Sequence, residues 1–154
     1  MAIDHNFGNM DEFLSAAHKR RYPRGSKIIY ADEESDSIYY LTQVSVTVLI
    51  EDDNGRKIIV VYLSEGDFFG EIGLFGEGKR TAWIKAKTEC KVAELSYAKF
   101  VDLNKRGTGM LFQLTSQVVE RLGNATKKVS DLAFSTLLDG WRAHCSISAT
   151  SPTP

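Results

Sequence analysis

The strongest constraint on this chain is a change of apolar period near Thr108. Before it, Lys27–Tyr30, Ser37–Thr42, Val44–Ile50, Lys57–Leu63, Thr81–Ala86 and Val92–Ser96 are rich in β-branched and aromatic residues, with turn formers between them. Such residues fit a pleated, half-buried surface, so these runs are expected as strands. Between two of them stands Asp52-Asp53-Asn54-Gly55. Asn-Gly suits a hairpin because both residues tolerate positive φ. Many short strands at this spacing point to an antiparallel roll, barrel or sandwich.

Beyond Thr108, Leu111, Leu114, Val118, Leu122, Ala125, Val129 and Leu132 recur at steps of three and four, with Met110, Phe112, Val119 and Ala133 as a second stripe. Two stripes fit a helix that packs on the roll and also meets its own copy in a parallel coiled coil. A wide single stripe buried within one chain fits the same pattern. Ser135–Pro154 holds small polar residues, a lone Trp141 and no periodicity. It is expected to be a disordered tail. The expected organisation is a roll with flanking short helices over 1–107, a helix over 108–134 and a tail over 135–154.

Composition excludes several classes. A hydrophobic share of 43% and a charged share of 25% suit a soluble globular domain. No apolar run is long enough to span a membrane, and Met1–Asn9 lacks the core of a secretion signal. Cys90 and Cys145 make no disulfide framework, so a cytoplasmic home is expected. A net charge of −1 leaves no broad basic field for nucleic acid. His5, His18 and His144 are scattered and form no metal cluster. No activated nucleophile or paired acid–base set stands out, and no enzyme is expected. The run His18-Lys19-Arg20-Arg21 reads as a solvated face, Cys90 as a small buried hydrophobe, and Trp83 and the tyrosines as packing residues.

The informative stretch is Gly66-Asp67-Phe68-Phe69-Gly70-Glu71-Ile72-Gly73-Leu74-Phe75-Gly76-Glu77-Gly78-Lys79-Arg80-Thr81-Ala82-Trp83, glycine-rich and set between strands. A short helical turn after Gly70 presents backbone N–H groups to an anion. Arg80 offers a fork that meets two phosphate oxygens at once, and Thr81 adds a hydroxyl. Glu71 only accepts hydrogen bonds, so beside a phosphate it suits a sugar hydroxyl or an arginine. The pattern alone also fits a glycine-rich loop with a surface arginine.

The words Gly-Asp-Phe-Phe-Gly-Glu-Ile-Gly-Leu-Phe and Arg-Thr-Ala-Trp closely resemble the phosphate-binding cassette of the bacterial cyclic-AMP receptor (catabolite activator) proteins. Arg21-Tyr22-Pro23, Ile38-Tyr39-Tyr40, Ser45–Ile50, Cys90–Tyr97 and Lys128–Phe134 stand in family order as well. The resemblance runs from about Phe13 to Phe134 and looks greatest to the Pseudomonas-type receptor. It implies a mainly β protein with α: an antiparallel, jelly-roll-like β-roll that binds cyclic nucleotide, followed by a long dimerisation helix.

What it implies for function is a homodimeric, cyclic-AMP-binding sensor of a transcription regulator. The ligand-binding residues it implies are Gly70, Glu71, Ile72, Arg80, Thr81, Arg121 and Thr126. Glu71 is expected to accept the ribose 2′-OH and Arg80 to pair with the phosphate beside Thr81. Thr126 is expected to reach the adenine from the partner subunit. His18, Arg20 and Lys99 match positions where the family touches RNA polymerase. The alternative is a ligand-free dimerisation module with a degenerate pocket.

Three departures stand out. The cassette between Gly70 and Arg80 is one residue shorter than usual. Ala125 replaces a threonine that bonds the adenine amino group, a loss on the order of 1 kcal/mol. Val44 replaces a turn glycine, which strains a β-branched residue if φ is still positive there. After Phe134 the family continues through a hinge into a helix-turn-helix domain, and this chain does not. Gly140-Trp141-Arg142-Ala143-His144, reverse-translated and shifted by one base, reads Arg-Val-Ala-Arg-Thr, which resembles that hinge. The expectation is therefore a frameshifted tail, no DNA-reading domain, and no DNA binding by this chain alone.

Overall fold

The computed structural model describes residues 10–51, 54–76 and 78–148. The chain divides into two compact units, Met1–Leu114 and Thr115–Pro154.

In the first unit, helix α1 (Met10–Ala16) precedes β1 (His18–Tyr22), β2 (Lys27–Ile29), β3 (Ser37–Gln43), β4 (Val46–Glu51), β5 (Lys57–Leu63) and β6 (Phe68–Phe69). The short helix α2 (Ile72–Phe75), β7 (Trp83–Ala86), β8 (Cys90–Ser96) and helix α3 (Tyr97–Arg106) follow. Among the described residues the strands form two four-stranded antiparallel sheets, ordered β1-β8-β3-β6 and β2-β7-β4-β5. The expected antiparallel roll is present, and the Asn54-Gly55 turn joins β4 to β5 with Gly55 at φ +77°.

The two sheets differ in how they are covered. β3 buries Ile38, Tyr39 and Leu41 in near succession, because its sheet has neighbours on both faces. Tyr39 and Leu41 join Ile29, Val46, Leu63, Phe69, Ile84 and Val92 between the sheets. Ile38 and the partly buried Tyr40 turn to the other face, against Phe13, Phe68, Phe100, Met110 and Leu114. There Phe13 meets Phe68 edge-on, with centroids 5.5 Å apart, the geometry that aromatic quadrupoles favour. In the second sheet, Ile58, Ile59 and Tyr62 of β5 stand exposed.

Local readings are extended at one point and corrected at two. The run His18–Arg21, read as a solvated face, is exposed, and with Tyr22 it forms an edge strand on β8, in register from His18 opposite Glu94 to Tyr22 opposite Cys90. Pairing rather than burial makes it a strand, and its charges suit a sheet edge. Val44, placed in a strand, lies in the turn between β3 and β4 at φ +71°, the strained position its replacement of a glycine implied. Thr81 and Ala82 precede β7 rather than belonging to it.

Helix α4 spans Gly109–Ser148. Its first turns lie in the first unit, where Met110 and Leu114 are buried. Asn104 links α3 to this start: its Nδ2 donates to Phe100 O at 2.8 Å, and its Oδ1 accepts from Leu111 N at 3.2 Å. In the second unit Val119, Leu122, Val129, Leu132, Phe134, Leu137 and Trp141 are exposed. The expectation of a disordered tail is corrected for Ser135–Ser148, which continue α4. Leu137, Leu138, Arg142 and Ala143 favour helix, no proline stands between Phe134 and Pro152, and Gly140 costs only about 1 kcal/mol relative to alanine. Residues 149–154 of the expected tail lie outside the described residues.

Candidate functional site

The glycine-rich loop folds over Arg80. Gly70, just after β6, sits at φ +76°. A Cβ there would fall 2.7 Å from Arg80 Nη1 and 3.0 Å from the Tyr39 ring. Both conformation and space therefore require glycine. At the other end, Gly78 and Arg80 are tied by backbone bonds to the loop before β3. Ser35 N donates to Gly78 O at 2.7 Å, Arg80 N to Glu33 O at 2.9 Å, and Asp32 N to Arg80 O at 2.9 Å. Glu77 lies outside the described residues.

Arg80 is only 7% exposed, and its guanidinium points inward. Nη1 donates to Gly70 O at 3.0 Å and Nη2 to Ser37 O at 2.9 Å. The Tyr39 ring lies beside it, 5.3 Å from Cζ. The Asp36 carboxylate is 4.0 Å away, with its side chain 87% exposed and facing water. These bonds place a buried cation among carbonyl dipoles, with one distant, solvated counter-charge. Burying a charge is costly unless it is paired, and Arg80 is paired here by two carbonyl dipoles and the solvated Asp36 carboxylate. Burial, and next the Glu94 carboxylate, push the Tyr39 hydroxyl well above the ordinary tyrosine range, against the pull of Arg80. Tyr39 thus stays protonated and donates to Glu94 Oε1 at 3.3 Å.

Gly70, Glu71, Ile72, Arg80 and Thr81 therefore lie along one loop of the first unit. Glu71 is half-buried at the N-cap of α2, Ile72 is exposed, and Thr81 is exposed beside Arg80. Arg121 and Thr126 belong to the second unit. Arg121 Nη2 approaches Gln117 Oε1 at 3.5 Å, and Thr126 Oγ1 donates to Leu122 O at 2.9 Å, each within α4. The groups that actually hold Arg80, namely Ser37 O, Tyr39 and Tyr97, were not named from the sequence as site residues. No local pattern marks them, since Ser37 and Tyr97 stand 43 and 17 positions from Arg80.

A second feature gathers at the end of β1. His18, Arg20 and Lys99 line a depression of about 150 Å³ with Ala16, Glu94 and Ser96. Arg20 Nε lies 2.9 Å from Glu94 Oε2. Cys90 is buried in the core, where desolvation first and Glu89 second raise its thiol pKa. Among the described residues no three His, Cys, Asp or Glu side chains are grouped to hold a metal, and no helix is long and apolar enough to cross a membrane.

The first unit is thus a two-sheet roll with a glycine-lined loop closed over a buried arginine. The chain belongs to the cyclic nucleotide-binding domain family, which it matches over residues 19–106. It is 47% identical over 140 residues to the cAMP-activated global transcriptional regulator Vfr of Pseudomonas aeruginosa, covering 87% of this chain and 65% of the relative. It is 48% identical over 126 residues to the cAMP-activated regulator CRP of Pasteurella multocida, covering 81% of this chain and 60% of the relative. The chain thus spans less than two thirds of the length of these relatives. Among solved structures, the c-di-GMP responsive global regulator CLP of Xanthomonas campestris superposes with a TM-score of 0.78 at 28% identity, over 94% of this chain and 73% of that one. The catabolite activator protein of Thermus thermophilus gives 0.71 at 25% identity, over 82% and 60%. The expected family and roll are thereby shown, and the relatives are named as transcriptional regulators rather than enzymes.

Proposed function

We propose that this chain is the cyclic-AMP-sensing part of a transcription regulator that acts in the cytoplasm as a homodimer. The observation that carries this reading is Arg80, a buried guanidinium whose hydrogen bonds go to the neutral Gly70 and Ser37 carbonyls and the Tyr97 hydroxyl. A cyclic phosphate offers that cation a closer counter-charge than the Asp36 carboxylate at 4.0 Å, through bidentate, charge-assisted bonds about twice as strong as neutral ones. The ligand then takes Arg80 from Gly70 O and Ser37 O. Thr81 and the backbone of Gly70 and Ile72 complete the phosphate contacts, and Glu71 accepts the ribose 2′-OH. The adenine end falls to Thr126 of the second copy, where Ala125 withholds one bond, and Arg121 completes the ligand-binding set. The exposed apolar residues of α4 pair two copies. The groove of His18, Arg20 and Lys99 is the proposed contact surface for RNA polymerase.

Calorimetry tests the reading directly. Cyclic AMP is expected to bind in the micromolar range, with cyclic GMP and cyclic di-GMP as comparison ligands. Arg80→Ala is expected to weaken binding by about a hundred-fold, from the loss of two charge-assisted bonds. The same internal bonds of Arg80 favour one second reading, a module whose arginine is satisfied at home and whose helix only associates. Silence with every cyclic nucleotide, alongside intact dimerisation, replaces the sensor with that module.

A further inference from the structure

Glu71 and Arg80 are the residues the cyclic-nucleotide reading relies on, yet the group that touches the loop on both sides of Glu71 is the Tyr97 hydroxyl. Tyr97 opens α3, and its backbone N–H donates to Asp36 O at 2.8 Å. Its hydroxyl donates to Gly70 O, accepts from the Ser35 hydroxyl, and lies 3.4 Å from Arg80 Nη1. A Cβ on Gly73 would fall 2.9 Å from that hydroxyl and 2.2 Å from Ser35 Oγ. The hydroxyl therefore abuts residues 70 and 73, and Glu71 and Ile72 lie between the two points.

The consequence follows from the peptide bond. It is planar and trans, so fixing the direction of the Gly70 carbonyl fixes the opposite direction of the Glu71 N–H. Gly70 is at φ +76°, where a glycine has little intrinsic preference between conformations. Its peptide needs an external hold. Arg80 Nη1 supplies one at 3.0 Å, but an arriving phosphate removes it. Tyr97 keeps the Gly70 carbonyl satisfied when Arg80 leaves.

We infer that Tyr97 is the positioning residue of the cassette: its hydroxyl holds Gly70 and Gly73 so that Glu71 faces the ribose 2′-OH while Arg80 transfers to the phosphate. This rests on the cyclic-AMP reading. Because Tyr97 begins α3, and Asn104 of α3 bonds the start of α4, the same contact ties the state of the cassette to the first turn of α4.

The test compares cyclic AMP with its 2′-deoxy analogue by calorimetry on the full chain. In Tyr97→Phe, cyclic AMP is expected to bind about five-fold more weakly, the worth of one hydrogen bond. The analogue lacks the hydroxyl that Glu71 receives and is expected to lose less than about two-fold. A merely structural role weakens both ligands equally, and that result, or no loss at all, overturns the inference. Gly73→Ala, which drives a methyl into Ser35, and the milder Ser35→Ala are expected to show the same selective loss. They carry the test if Tyr97→Phe does not fold. If the unaltered chain binds neither ligand, the cyclic-AMP reading fails and takes the inference with it. Binding by the unaltered chain with an unselective loss overturns the role of Tyr97 alone.

Discussion

In Met1–Leu114 the large side chains Phe13, Phe68, Phe100 and Leu41 are buried by other residues of the same unit, whereas from Thr115 onward Leu122, Val129, Leu132 and Trp141 lie open. The sequence supplies both regions with similar apolar residues. In the roll, strands and helices bring those residues into two clusters on either side of one sheet. In α4 the apolar stripes have the right period and nothing within the unit to meet. Each buried large side chain contributes about 1.5–3 kcal/mol relative to exposure. An isolated helix owes most of its stability in proteins to packing. The roll buries its large apolar side chains within its own unit, and the second unit leaves its stripe exposed, where the proposed homodimer would pair two copies.

The difference can be broken in the roll most severely. Phe68→Ala removes the ring at the centre of the outer cluster and should cost about 3–5 kcal/mol, read as a shift in urea midpoint. A loss below about 1 kcal/mol would mean that this core is not the unit's main support. Next in size is the paired change Leu122→Ala with Val129→Ala. Sedimentation should show self-association weakened by about a hundred-fold, while the urea midpoint of the roll at low protein concentration stays put. If association is unchanged, the exposed stripe is not the seam. The smallest effect is a gain. Val44→Gly relieves a β-branched residue at φ +71° and should stabilise the roll by about 0.5–1 kcal/mol, after glycine's own entropy cost is deducted. A lower midpoint would show that the turn does not hold that conformation.

Much of the candidate site was legible because it is local. Gly70, Glu71, Ile72, Arg80 and Thr81 fall within one loop, and the cassette words mark them directly. Tyr97 was legible only as part of a matching word, with no role attached. Its place beside Gly70 appears once α3 docks on the roll. The edge strand His18–Tyr22 was hidden for a related reason: it has no apolar alternation, and pairing with β8 alone makes it a strand. The end of α4 was missed because Ser135–Ser148 do not continue the earlier stripe. At about 100° per residue, Phe134, Leu137 and Trp141 lie roughly a third of a turn from Leu122, Val129 and Leu132. A helix can persist through a change of face, since backbone propensity and hydrogen bonding do not depend on which side is apolar.

By itself the amino-acid order determined the period-two runs, the Asn54-Gly55 hairpin, the long helical stripe and the glycine–arginine loop. Each is a regularity of neighbours a few residues apart, where backbone geometry imposes the spacing. Tertiary structure alone decided that the arginine faces inward, that Ser37 and Gly70 carbonyls hold it, and that the Tyr97 hydroxyl donates to the Gly70 carbonyl. Those groups come from separate strands and helices, and only the closing of the roll brings them within hydrogen-bond distance.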